Sequence, residues 1–301
     1  MLKKLFVQLY FTCVLYVPNF IRELFLFQKK SKYIVLKSFL DCRMGVWRKQ
    51  NWGDDLNVFL CSSWFDKKII NYSTSVLSWM SDGVNYSFIG SVLQSANRRT
   101  VVWGSGLISE DEYPQETPKR ICAVRGPLSR KVLQEHGIEC PDVYGDPALL
   151  LPRYYTPKKP SKTFRLGIVA HVCDEKNQII RDFLCKGYDV IQISLSSYER
   201  WQDVVDQVCS CEAIVSSSLH GLVVADAYGI PNTWIEFSDL VIGLGFKFRD
   251  YFMSVNREIL PPHFIHSVED LERLYFQEMV SRPIEIDLEP LINSCPFKLP
   301  F

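Results

Sequence analysis

The chemistry of this chain concentrates in Ser216-Ser217-Ser218-Leu219-His220-Gly221, where a histidine follows three hydroxyl side chains and one apolar residue. Histidine titrates nearest neutrality of all side chains, so it can give or take a proton under physiological conditions. The preceding Ala213-Ile214-Val215 reads as a buried strand, and Leu222 to Tyr228 as two turns of helix stopped by Gly229 and Pro231. A serine-rich strand-to-helix turn offers hydroxyl caps and backbone N–H groups at the positive end of the helix dipole, which together hold an anion such as phosphate. The expected chemistry is proton transfer beside a bound anionic group. A histidine that only caps a helix or hydrogen-bonds within the core is the competing reading.

Other candidates also fall at the ends of apolar runs. Arg125 follows Ile121-Cys122-Ala123-Val124 and precedes Gly126-Pro127, so a strand end would deliver its guanidinium toward a carboxylate or phosphate; the alternative is a surface ion pair. Gly90-Ser91, Gly104-Ser105-Gly106 and Gly145-Asp146-Pro147 also follow apolar runs, where glycine lets a ligand approach the backbone. Asn51-Trp52-Gly53-Asp54-Asp55 offers helix-capping carboxylates or groups for sugar hydroxyls. His171 and Glu236, each after an apolar run, are candidates for an acceptor's hydroxyls, as is Asp239. Lys247 and Arg249 add two cations near that end, with a solvated helix face as the alternative. His136 reads as a helix C-terminal residue, and His263 and His266 as loop residues.

These residues need a scaffold of alternating strands and helices. Lys68 to Ile70, Tyr86 to Ile89, Thr100 to Trp103, Arg120 to Val124, Phe164 to Ala170 and Val190 to Leu195 read as strands, and Leu128 to His136 as a helix closed by Gly137. The expectation is α/β: an apolar segment over 1–30, a first α/β unit over 31–156, a polar linker at 157–163 and a second α/β unit over 164–301. An active site would lie in the cleft between the units, at the strands' carboxyl ends. The 301 residues, 47% hydrophobic, suffice for two cores. Lys+Arg and Asp+Glu both total 34, so no global field marks nucleic acid as a partner. Ten cysteines without repeated CxxC pairs read as thiols of a reducing compartment, and no metal site is expected. Leu5 to Ile21 carries no charge and resembles a signal h-region or an interfacial helix, but no small-residue cleavage site follows and Gln8, Pro18 and Asn19 interrupt it, which favours a helix lying on a membrane or on the protein over a true signal or anchor.

The set NWGDDLN (51–57), FIGSVLQ (88–94), VWGSGL (102–107), AVRGPLSRKVLQEHGI (123–138), VYGDPALLLP (143–152) and VSSSLHGLVVADAYGIPNTWIE (215–236) closely resembles the polysaccharide pyruvyl transferases, particularly bacterial exopolysaccharide ketal-pyruvate transferases. The resemblance runs from about Asn51 to Tyr251 and implies two Rossmann-like domains facing a central cleft, similar to the GT-B glycosyltransferases. It further implies phosphoenolpyruvate as co-substrate, a sugar of a polysaccharide repeat unit as acceptor, and neither cofactor nor metal. His220 matches the family's catalytic acid, and Arg125 an arginine associated with the donor. Ser218 stands where many relatives carry arginine.

With that resemblance the site is expected to comprise His220 as catalyst. Arg125, Ser217, Ser218, Leu219, Gly104 and Ser105 are expected at the donor, and Asn51, Asp54, His171 and Glu236 at the acceptor. Ketal formation from an enol ether needs a proton at the methylene carbon, which suits a histidine beside phosphate. A lipid-linked oligosaccharide is the expected acceptor, and the expected location is the cytoplasm, with peripheral contact at the inner membrane face. A nucleotide-sugar glycosyltransferase and a non-catalytic assembly protein of the same fold are the alternatives.

Overall fold

The computed structural model of the chain describes residues 9–10, 12–27, 33–43, 46–48, 51–76, 78, 83–158, 163–277 and 283–301. Much of the apolar segment and residues 159–162 of the expected linker lie outside them. A turn of π-helix at Thr12–Tyr16 leads into α1 (Val17–Phe27). The first half then runs β1 (Tyr33–Leu36), β2 (Asp41–Arg43), β3 (Val46–Arg48), α2 (Trp52–Ser63), β4 (Lys68–Asn71), β5 (Asn85–Ser87), β6 (Thr100–Trp103), β7 (Arg120–Ala123), α3 (Pro127–Glu135) and α4 (Leu151–Tyr154). The second half runs β8 (Phe164–Val169), α5 (Gln178–Leu184), β9 (Val190–Gln192), α6 (Trp201–Cys209), β10 (Cys211–Ser216), α7 (Leu219–Ala227), β11 (Asn232–Glu236), α8 (Phe246–Ser254), β12 (His263–Phe264), α9 (Val268–Phe276) and α10 (Glu289–Asn293).

Two parallel five-stranded sheets result, in the orders β4-β1-β5-β6-β7 and β12-β11-β10-β8-β9, with β2 and β3 forming a separate hairpin. Counted by appearance within each sheet, both orders read 2-1-3-4-5, a doubly wound topology whose winding reverses between its first and third strands. The α/β expectation holds. The apolar content explains it: β6 is buried along its whole length and β8 along its last four residues, as strands covered on both faces must be.

One apolar cluster joins the halves, with Trp52, Leu56, Phe88 and Trp103 from the first and Val205, Leu222, Val223 and Tyr251 from the second. The last residues return to the first sheet. Trp103 Nε1 donates to the Leu291 carbonyl at 2.8 Å, and Phe297 packs on Phe65 and Tyr86 with centroids 4.9 Å from each. The span 164–301, expected as one unit, thus gives its end to the other sheet.

Sequence periodicity misplaced some boundaries. α7 begins at Leu219, three residues before the expected Leu222, so His220 lies within its first turn rather than in the preceding loop. All residues from Leu219 to Asp226 are buried, and a helix apolar on all sides carries no polar face to mark its start. β9 ends at Gln192 rather than Leu195, and β5 sits slightly earlier than Tyr86 to Ile89.

Candidate active site

In the second sheet the winding reverses between β8 and β10, and the two histidines singled out from sequence follow these two strands. His171 comes just after β8 and His220 just after β10. Ser216 at the end of β10 and Ser217 after it tie the two strand ends together. Ser216 Oγ donates at 2.8 Å to the Val169 carbonyl and accepts the Ser218 N–H at 3.0 Å. Ser217 Oγ accepts the His171 N–H at 2.9 Å, and the Ser217 N–H donates to the Val169 carbonyl at 3.1 Å. Ser218 is the helix N-cap by position, yet its side chain makes no capping bond. The expectation of serine caps and of free Ser217 and Ser218 N–H groups is therefore corrected. The unclaimed helix-start N–H groups belong to the first turn, from Leu219 onward.

His220 is 9% exposed and its imidazole lies flat against Gly53 in the first turn of α2. A Cβ added to Gly53 would stand 1.8 Å from His220 Nδ1, so only glycine leaves room for the ring. Asn51 caps α2, accepting the Gly53 N–H at 3.3 Å and donating to Asp54 Oδ2 at 2.8 Å. Asn51, Gly53 and Asp54 are thereby one construction: the cap starts the helix, the glycine seats the histidine, and the amide orients the carboxylate. The mouth of α2 is anchored to the second half by Trp52 N–H to the Leu195 carbonyl at 2.8 Å and by Tyr198 to Asp55 at 2.8 Å.

Arg125 is buried, and neither a surface ion pair nor an open clamp describes it. Its Nε donates to Asp250 Oδ2 at 3.0 Å, Nη1 to Ser91 Oγ at 2.8 Å and Nη2 to the Leu107 carbonyl at 2.7 Å. Asp250 also accepts from the Ser129 N–H and hydroxyl at 2.8 and 2.7 Å. Gly104 and Ser105, expected at the donor, stand behind this arginine. Ser105 is fully buried, its hydroxyl pairs with Ser87 at 2.8 Å and its carbonyl accepts the Arg125 N–H at 3.2 Å.

Lys247, which the sequence offered as one of two cations near the end of β11 or as part of a solvated helix face, lies in the first turn of α8 and is half-buried. Its ammonium makes no hydrogen bond or ion pair with the described residues; its one ring contact is with the neighbouring Phe248, 5.5 Å away. Burial and the nearby Arg125 lower its pKa from 10.5 to about 8. Its field reaches most of the candidates. Burial first, then Lys247, Arg125 and His171, hold His220 down from 6.5 to about 3. Burial and Lys247 hold His171 at about 4. Burial and Asp55 push Asp54 up to about 7 against the pull of Lys247 and Asn51. Burial and Asp239 raise Glu236, again opposed by Lys247. Arg125, Asp54, His171, His220 and Glu236 thus lie within the field of one ammonium. Among the described residues, the buried His220 Nε2 has no hydrogen-bond partner. An imidazole nitrogen with no described partner, an ammonium with no hydrogen-bonded counter-ion among the described residues and a helix start form a set that can receive an anion.

The polysaccharide pyruvyl transferase model matches residues 2–239. This chain belongs to that family. It is 28% identical over 206 residues to the uncharacterized protein L143 of Acanthamoeba polyphaga mimivirus, covering 67% of this chain and 69% of that protein. No solved structure matches it. The matched span carries Asn51, Gly53, Asp54, Arg125, His171, His220 and Glu236. Lys247 and Asp250 lie beyond that span; the sequence offered Lys247 only as one of two cations and gave Asp250 no role. A signal for them exists: Lys247 and Asp250 are interleaved with Phe246, Phe248, Tyr251 and Phe252, so a helix burying those rings must bury charge too.

Proposed function

We propose that this polysaccharide pyruvyl transferase moves pyruvate from phosphoenolpyruvate onto two hydroxyls of a sugar in an exopolysaccharide or capsule repeat unit, forming a ketal and releasing phosphate. The observation that carries the reading is the buried, unpartnered His220 Nε2 at the start of α7, within the field of Lys247. Burial first, and then the surrounding cations, hold His220 neutral; a donor bearing a carboxylate and a phosphate offsets the cations and favours the charged ring, so the histidine gains its proton when the donor arrives. His220 then protonates the donor's methylene carbon, and C2 becomes the electrophile. The first sugar hydroxyl bonds to C2, the bond from C2 to the phosphate oxygen breaks, and the second hydroxyl closes the ketal. Two hydroxyl protons are lost while one is gained by the methyl group and one leaves on phosphate, so the reaction balances. Asp54, poised at about 7, and Glu236 hold the acceptor hydroxyls, and Asp54 takes a proton from one of them.

Lys247 and the first-turn N–H groups of α7 supply the positive field for the donor that an arginine at position 218 would otherwise supply, and Arg125 adds to it from behind Ser91. A site between two Rossmann-like halves, arranged as in GT-B enzymes, accords with this reading, as does action in the cytoplasm on a lipid-linked acceptor. The test is acceptor-dependent phosphate release from phosphoenolpyruvate, with mass spectrometry of the product. A gain of about 70 Da, abolished by His220→Ala, is expected. No donor consumption over a broad acceptor panel, with a hexose-sized gain when sugar nucleotides are supplied, would replace this reading with a glycosyltransferase.

A further inference from the structure

α1 is amphipathic in the reverse sense. Its polar residues face the protein: Asn19 and Glu23 are each 3% exposed. Asn19 donates to the Thr74 carbonyl, Arg22 Nη2 to the Ile69 carbonyl at 3.3 Å, and Ser75 Oγ to Glu23 at 2.7 Å. Val17, Ile21 and Leu24 face out, exposed by 46%, 52% and 45%. These three stand at i, i+4 and i+7, one stripe on the side opposite Asn19 and Glu23. Leu9, 60% exposed, adds to the apolar surface ahead of the helix. A helix of a protein surrounded only by water would place these faces the other way round.

The edge of this helix is cationic. Arg22, Lys67 and Lys68 line a cavity of about 190 Å³ whose other walls include Leu40, Val58 and Ile69. The sequence continues past α1 with Lys29, Lys30 and Lys32. Apolar side chains bordered by cations match the acyl boundary and phosphate layer of an anionic bilayer. A second copy docked through the same face about a two-fold axis would bring like cations together. Among the described residues no helix is long and apolar enough to cross a membrane.

We infer that the outward stripe of α1 seats this protein on an anionic lipid surface, with Val17, Ile21 and Leu24 entering the acyl boundary and Lys67 and Lys68 at its edge meeting headgroup phosphates. The test is co-sedimentation of the full chain with phosphatidylcholine vesicles, with and without phosphatidylglycerol. Binding to the anionic vesicles that weakens with salt is expected. Ile21→Glu/Leu24→Glu should lower that affinity at least about tenfold, because charge on the lipid-facing stripe opposes insertion. Lys67→Gln/Lys68→Gln should reduce binding to anionic vesicles and leave residual binding to neutral ones unchanged. Ile21→Ser/Leu24→Ser, milder on folding, should fall between the parent and the glutamate variant, with an unchanged thermal midpoint. Failure of the parent to bind anionic vesicles, or equal binding by the stripe variants, overturns the inference. So does a parent dimer that binds no vesicles and becomes monomeric in Ile21→Glu/Leu24→Glu, because a second copy would then own this face.

Discussion

Arg125 and Lys247 are neighbouring cations drawn out of water at the same site, and their surroundings are opposites. Around Arg125 the protein supplies Asp250, Ser91 and the Leu107 carbonyl, and Ser129 completes the carboxylate's own bonding. Around Lys247 it supplies a phenylalanine face, a second cation in Arg125, and carboxylates close enough to feel but not to bond. A buried charge matched by its partners organises the fold. One left unmatched costs stability and is retained where a ligand completes it.

The comparison is broken most severely at Arg125. Arg125→Met should cost about 3–5 kcal/mol in chemical denaturation, since it strands the Asp250 carboxylate in the interior. Adding Asp250→Asn should recover part of the loss by removing that charge while leaving Ser129 an acceptor. Strictly additive losses would mean that the pair does not act as a unit.

Gly53→Ala tests the seat shared by the two halves. Its Cβ would fall 1.8 Å from His220 Nδ1, so the ring must move. A displacement of that size should lower kcat/KM for the donor about a hundredfold while changing stability much less than Arg125→Met does. Turnover at the parent rate would show that His220 needs no support from α2.

Lys247→Met sharpens the comparison with the smallest effect. It should weaken phosphoenolpyruvate binding about tenfold, roughly 1.4 kcal/mol, and raise the thermal midpoint of the unliganded protein. The pH dependence follows from the same cations. His220, held at about 3 rather than 6.5, is neutral in the free fold, so its contribution to stability is complete above 6.5 and is lost as pH falls toward 3. Lys247, lowered from 10.5 to about 8, contributes in the same sense between those values. A bound anion raises both, so donor binding should take up protons and tighten as pH falls from about 8 to about 6. Calorimetry in buffers of different ionisation enthalpy measures the uptake. A parent with none, or an uptake undiminished in His220→Asn, would separate the histidine from the anion.

Much of the scaffold was legible in the residues. Thr100 to Trp103, Arg120 to Val124 and Phe164 to Ala170 are apolar runs bounded by turn residues, and each became a strand close to its expected limits. The helix starting at Pro127 and its Gly137 stop, which has φ 71°, were legible for the same local reason. Arg125 was legible as a charge at a strand end but not as a buried one, because Asp250 is 125 residues away. Lys247 sits among aromatic residues that hide it, and its place in the field of the other candidates follows only once α8 packs on α3 and bonds to α7 through Tyr251 and Asp226.

Strand and helix periods, glycine and proline stops and the order of six short motifs are local properties, so the residues alone settled the α/β class and the family and singled out His220. Which charges find partners is decided across distances no local pattern spans. Folding turned the serines toward strand ends, closed Asp250 over Arg125, and left Lys247 and the His220 imidazole without partners. It also turned the polar face of α1 inward, since Thr74, Ser75 and Ile69 meet it there. The reason is common to all of these: hydrogen bonds and ion pairs buried from water must be satisfied in three dimensions, and those the fold leaves open mark where something else must bind.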